Sequence, residues 1–125
     1  MAMLAVPVRL SEAKIVDLVT YRRDGTPVHT PVLSTPRDGV LLIRTHHTAG
    51  KLKRLRHNSR VEVTPCDGRR RVIGGTSSGR ARVLAAEETS ACLELLHRRH
   101  GLVGYASTWL RHRYGRDVFI AVQPD

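Results

Sequence analysis

Aromatic side chains are scarce in this chain: one Trp, three Tyr and one Phe make up 4% of its 125 residues. That shortage argues against the alternating ring and cation platforms on which single-strand nucleic-acid binders stack bases, since none of the five rings cluster on one strand. Cysteine is equally sparse. Cys66 and Cys92 stand alone, without metal-ligand spacing, and two cysteines in a chain of this length offer no disulfide framework, so a reducing cytoplasm is expected. Long apolar runs are missing too. Residues 1–7 are too short for a signal h-region, and nothing later reaches the length of a membrane span, which predicts a soluble protein with no membrane partner. No Ser-His-Asp set, paired carboxylates or metal-ligand cluster is visible. Conventional catalytic residues therefore remain unidentified, and any reactivity would come from a bound cofactor.

Acids are the remaining deficit, with 11 Asp and Glu against 21 Lys and Arg, giving a formal net charge of +10. All the basic residues except Lys14, Lys51 and Lys53 are arginines, whose guanidinium forks suit phosphate and carboxylate oxygens. The partner implied is anionic. Nucleic acid, a membrane surface and a phosphorylated small molecule all meet that description on charge alone. The length fits a single domain over residues 1–125, and a hydrophobic fraction of 41% permits a core that aliphatic side chains must fill.

Three Asp-Gly pairs, Asp24-Gly25, Asp38-Gly39 and Asp67-Gly68, separate segments rich in β-branched residues and read as hairpin tips. Residues 15–21, 28–33 and 40–45 form the expected three-strand meander. Pro31 removes a backbone donor from the second strand, which confines it to an edge, a bulge or a place that a ligand approaches. Residues 48–58 predict a short basic helix, with Thr48 as cap, Leu52 and Leu55 on one face and Asn58 as stop. Residues 60–64 and 79–84 alternate as half-buried strands, with Arg80 and Arg82 on one face and Ala81 and Val83 on the other. Residues 69–73 are expected as a strand between them, and 74–78 as a flexible crossing. Residues 87–99 predict a helix with acids in its first turn, a buried stripe of Cys92, Leu95 and Leu96, and Gly101 as stop. The stretch 102–114, with Trp109 and Leu110, reads either as helix or as ordered loop. Residues 118–122 close the chain as a last strand. The fold class expected is mainly β, a six- to seven-stranded antiparallel barrel with a short helix after strand three and a longer helix before the last strand.

One segment concentrates chemistry. Thr45 ends a strand, and Lys51 and Arg54 lie one turn apart on the basic helix, so a hydroxyl, free amide groups and two cations can converge on a phosphate. The bland alternative is a solvated basic face. His46-His47 reads as an exposed pair, not a metal site, because no third ligand is suggested nearby. Gly74-Gly75 and the serines after it lack the Lys-Ser/Thr ending of a phosphate loop. Arg69-Arg70-Arg71 reads as solubilising charge, or as a grip on a cofactor's anionic tail across a subunit interface. Tyr21, His29 and His57 could donate protons, but each also fits a structural role.

The pattern over residues 18–28, Thr30-Pro31-Val32, residues 43–45 and 50–56, Asn58, residues 60–63 and Pro65-Cys66-Asp67 resembles the pyridoxamine-phosphate-oxidase-like split barrels. It is most similar to their actinobacterial deazaflavin-dependent branch, and the resemblance runs on through residues 79–83, the helix over 87–101 and Gly115-Arg116-Asp117. Leu33-Ser34 follows Thr30-Pro31-Val32, where related sequences often carry an aromatic pair. The resemblance implies an FMN-binding split barrel that is a homodimer, with coenzyme F420 as cofactor and FMN, or less readily haem, as alternative. It implies that Thr45, Lys51 and Arg54 hold the cofactor's phosphate, that Thr30, Pro31 and Val32 lie along its ring, and that His46 stands nearby. The activity implied is hydride transfer from reduced F420 to an electron-poor acceptor such as a conjugated alkene, quinone or tetrapyrrole. The competing class is a basic β-barrel without catalysis that binds nucleic acid or carries cofactor; the few aromatics disfavour nucleic acid.

Overall fold

The computed structural model describes residues 8–46, 49–114 and 117–125. After a short helix, α1 (Val8–Glu12), the chain runs β1 (Ile15–Tyr21), β2 (Pro27–Arg37), β3 (Val40–His46), α2 (Gly50–His57), β4 (Arg60–Cys66) and β5 (Ser77–Val83). A single 3-10 turn at Ala86–Glu88 leads into α3 (Thr89–Tyr114), and β6 (Asp117–Pro124) completes the sheet. Every strand pair is antiparallel, and the strands close into a barrel in the order β1-β2-β3-β6-β5-β4.

Alternation explains the barrel. Val16 and Leu18 of β1, Leu41 and Ile43 of β3, Val61 and Val63 of β4 and Ile120 and Val122 of β6 point inward and are buried, and Leu52 and Leu55 of α2 plug one end. A second core lies outside the sheet, where Leu42, Phe119 and Ala121 meet Leu84 and Cys92, with Leu93 and Leu95 packed against them under α3. The two cores use opposite faces of β3 and β6, so both strands are apolar on both sides.

The meander forms as the Asp-Gly turns require at two of the three positions: Gly25 has φ 88°, and Asp38 and Gly39 have φ 50° and 84°. At the third, the positive φ falls on Arg70 (63°), and Asp67 organises the turn by accepting N–H bonds from Arg69 and Arg71 at Oδ1, 2.9 Å each. Residues 69–73 are therefore not a strand; an isolated bridge between Cys66 and Val72 is the only pairing there among the described residues. The barrel has six strands. Ser77 and Ser78, expected in the crossing, already belong to β5. Val83, expected on the buried face with Ala81, is 45% exposed at the end of that strand.

Gly101 ends the first part of α3 with φ 61° and ψ −140°, but the chain resumes as helix over residues 102–114, carrying Trp109 and Leu110. Thr48, expected to cap α2, His47, and residues 115–116 lie outside the described residues, as do residues 1–7. Ala49 occupies the cap position of α2 and makes no side-chain capping bond.

β2 positions the site. Its first seven residues, through Leu33, pair with β1, and its last four, from Ser34, pair with β3. Pro31, opposite Asp17, thus stands where the far side of β2 has left β3, and its missing donor costs no ladder bond there.

Candidate functional site

Where β2 parts from β3, a cleft of about 260 Å³ opens through the barrel wall. Thr30, Pro31, Val32 and Leu33 form one side, Arg44 and Thr45 the other, and Lys51 of α2 closes the end. Cross-strand register sets each direction. Thr30 and Val32 lie opposite Leu18 and Val16 and so face the interior, whereas Pro31 and Leu33, opposite Asp17 and Ile15, face out. Thr45 follows Leu41 and Ile43 on the inward face and is buried, and its Oγ1 accepts a bond from Lys51 Nζ at 3.0 Å. The lysine is held across the split by a residue that the barrel itself fixes.

Arg54 lies one turn further along α2, outside the cleft lining. Its Nε donates to the buried Thr20 Oγ1 at 2.6 Å, and its guanidinium folds back over the helix start, where a Cβ on Gly50 would meet Nη1 at 2.9 Å. Burial, and then the charge of Arg22, draws its pKa below the ordinary guanidinium value, though an arginine stays charged at neutral pH. The amino end of α2 thus gathers Lys51, Arg54 and the positive end of the helix dipole, and among the described residues no carboxylate lines the cleft. This donor set fits a phosphate. His46 ends β3 opposite Asp117 and does not line the cleft.

Five of the seven candidate residues thus share one cleft, with Arg54 beside it and His46 apart. Leu33 and Arg44 join the lining without having been singled out from sequence. Alternation sends Arg44 to the face opposite Thr45, and only the split lets both faces contribute to one cavity. Among the described residues, no three His, Cys, Asp or Glu side chains gather where they could hold a metal ion.

The candidate proton donors have structural partners. Tyr21 donates to Glu62 Oε1 at 2.5 Å, and that bond, more than burial, raises its pKa. His29 Nδ1 meets Asp17 Oδ2 at 2.7 Å, and His57 Nε2 accepts from Arg23 Nε at 3.1 Å. Burial pushes both thiols up, which keeps Cys66 and Cys92 as inert thiols.

Two further hollows mark the surface, the second of which shares Leu33 with the cleft. One, of about 530 Å³, is basic and lies between Arg22, Arg23 and Gly25 at the β1–β2 hairpin and Arg56, His57 and Asn58 at the end of α2. The other, of about 460 Å³, lies on the outer wall between β1, β2, β4 and α3. No helix among the described residues is long and apolar enough to cross a membrane.

No protein-family model matches the chain, and no curated protein does. Solved structures do. HutZ, the haem storage protein of Vibrio cholerae, superposes with a TM-score of 0.70 at 16% identity, over 91% of this chain and 83% of that one. A candidate pyridoxamine 5'-phosphate oxidase from Listeria innocua gives 0.64 at 13% identity, over 94% and 88%. An F420 reductase gives 0.58 at 19% identity, over 93% and 90%. At such identities the likeness shows the fold: this chain has the split β-barrel of the pyridoxamine-phosphate-oxidase-like proteins.

Proposed function

We propose that the chain is an oxidoreductase subunit that binds a phosphate-bearing flavin-type cofactor in the β2–β3 cleft, with F420 preferred to FMN, and reduces an electron-poor small molecule. One observation carries the reading. Lys51 Nζ is bonded to Thr45 Oγ1 at the end of a cleft whose opposite wall is Thr30-Pro31-Val32, so an anion-holding corner and a flat, donor-poor strand edge stand face to face. Lys51 and Thr45 would hold the phosphate, with Arg54 adding charge from the helix start. Pro31 presents no N–H to a ring lying along β2, and Val32 supports the strand from inside. When bound, the cofactor supplies the hydride; the protein binds, orients and excludes water. The positive balance of the chain suits F420, whose oligoglutamate tail adds carboxylates to the phosphate. An F420 reductase and a FAD-binding protein share this fold, which supports a flavin-type cofactor without choosing between F420 and FMN. A homodimer, in which the second subunit covers the ring, is part of the same proposal.

The basic hollow at Arg22, Arg23, Arg56 and His57 favours a second reading, a non-catalytic barrel that holds an extended polyanion. Titrating the purified protein with F420, FMN and an unrelated oligonucleotide separates the two, with fluorescence quenching as the readout for the cofactors. Saturable F420 binding that falls at least a hundredfold in the K51E/R54E double variant, with the circular dichroism spectrum retained, is the expected result. Binding of the oligonucleotide alone, or F420 affinity indifferent to the double reversal, would overturn the assignment.

A further inference from the structure

We infer that the chain carries a second anion site, apart from the cofactor cleft, where Arg22, Arg23, Lys53, Arg56, Arg60 and Arg80 form one track, and that this track takes a bare, flexible chain of phosphates, inorganic polyphosphate. The inference rests on the hollow that favours the polyanion reading above, without requiring that the barrel be non-catalytic.

The track has two parts. The first is the hollow of about 530 Å³, in which Arg22 and Arg23 of the β1–β2 hairpin face Arg56, His57 and Asn58 at the end of α2. Residues 50–57 contain no acid, and Lys53, exposed and one turn before Arg56, continues the same helix face. The second part begins at the α2–β4 link. Asn58, which lines the hollow, accepts at Oδ1 from the Arg60 N–H at 3.0 Å, and Ser59 Oγ accepts from Arg80 Nη1 at 3.2 Å. Arg60 and Arg80 then stand directly opposite each other on β4 and β5, both exposed. Hollow and strand pair are thus joined by three consecutive residues.

Like charges directly opposed across two strands destabilise a sheet, and Arg22 bears on Arg54 in the same sense. An anion laid along the track relieves both. Three acids lie beside it, and each is already bonded. Asp24 Oδ1 accepts from the Thr26 N–H of its own hairpin at 3.0 Å, Glu62 Oε1 accepts from Tyr21 at 2.5 Å, and Asp125 meets Arg60 at 3.3 Å in a pair open to water. Six cations therefore face three acids, and the balance stays positive.

Shape and chemistry select the ligand. The track turns from a helix end onto a sheet face, and a nucleic-acid duplex, stiff over about 150 base pairs, does not bend within one small domain without a large cost. A single strand bends, but its bases need rings to stack on, and no aromatic side chain lines the hollow or lies on β5. An extended acidic peptide presents side chains to one face only at every second residue, roughly 7 Å apart. Neighbours on this track stand closer, about 5–6 Å apart for positions one helical turn apart or opposite across strands. A phosphate chain carries charge in every unit, and guanidinium forks suit its oxygens.

Calorimetric titration of the purified protein with polyphosphate, repeated over a range of salt, tests this. Saturable binding is expected, with a logarithmic slope against salt of about −4 if each of the six cations counts as a single-strand phosphate contact does. Arg80→Glu sets opposite charges across β4 and β5, so it should keep or raise the urea midpoint while weakening polyphosphate at least tenfold and changing F420 affinity less than threefold. K53E/R56E, at exposed helix positions, should also weaken polyphosphate at least tenfold. No binding by the wild-type protein, or affinity unchanged in both variants, overturns the inference. Equal affinity for a thymidylate strand or a polyglutamate with the same number of charges overturns it too, because the track would then read charge without selecting phosphate chains. Displacement of polyphosphate by F420 but not by FMN assigns the track to the cofactor's tail, which overturns the inference and leaves the cofactor reading standing. Polyphosphate binding that both variants weaken, in a protein that binds neither F420 nor FMN, overturns the cofactor reading and supports the track.

Discussion

A histidine that must donate to a carbonyl has one proton placed for it, and His100 is such a residue. Burial lowers its pKa below 6.5, the Ser34 carbonyl pulls the other way, and the charges of Arg99, Lys14 and Arg44 lower it further. The folded state therefore resists a proton that the unfolded chain accepts. Stability from this group is fully present above about pH 6.5, the ordinary histidine value, and is lost as pH falls through the lower folded value. His100→Gln, which keeps a donor for the carbonyl without titrating, should flatten the loss of stability between pH 7.5 and 5.5. Urea midpoints for both proteins check this, and equal slopes would refute it. Little of His100's role was legible in the sequence, because nothing along the chain reports that α3 returns over β2 at Ser34. Arg99 was equally hidden: it falls at the end of the helix expected over residues 87–99, yet it spans 65 and more positions to reach its carbonyls. Thr45, Lys51 and Arg54 were legible because strand end, turn and helix are consecutive, so their convergence is local geometry.

At the scale of elements, β5 and β6 approach so closely that one residue has no room for a side chain. A Cβ on Gly79 would lie 2.6 Å from the Gln123 carbonyl oxygen and 3.1 Å from Pro124 Cα, both backbone atoms of the paired strand. Gly79→Ala must push the strands apart at the join that closes the barrel, at a cost of about 1–3 kcal/mol typical of overpacking. Gly75→Ala, in the crossing just before, meets nothing within 4 Å and should leave stability unchanged or slightly raised. Parallel chemical denaturation of the two variants decides it; equal midpoints would remove the steric argument. The strands were legible wherever apolar residues alternate, as in residues 60–64. Residues 69–73 misled because Val72 and Ile73 carry β propensity, while Asp67 captures the amides of Arg69 and Arg71 and holds the backbone in a turn. Propensity lost there to a local side-chain bond. The partner change of β2 at Leu33 and Ser34, which makes the cleft, was signalled only by Pro31, whose missing donor says that a neighbour is absent without saying which.

Across the whole molecule, charge acts on stability and on binding with opposite signs. The formal net charge is +10, and Arg22, Arg23 and Arg56 converge on one hollow with Arg22 also bearing on Arg54. Ion pairs among the described residues that offset this include exposed ones, such as Arg98 with Glu94 and Arg60 with Asp125, and exposed pairs contribute roughly 0–1 kcal/mol each. The folded chain therefore repels itself at low ionic strength. Salt shortens the range of that repulsion, to about 10 Å at 0.1 M, and should raise the melting temperature as the concentration goes from 0.05 to 0.3 M. The same screening weakens the long-range attraction for an anionic cofactor, so F420 affinity should fall about tenfold over that interval. FMN, with its phosphate but no chain of carboxylates, should lose less. The short contact from Lys51 at the cleft is common to both ligands, so the difference between their salt slopes measures what the rest of the arginine surface contributes. Equal slopes for F420 and FMN would confine recognition to the cleft and leave the positive field without a part in binding.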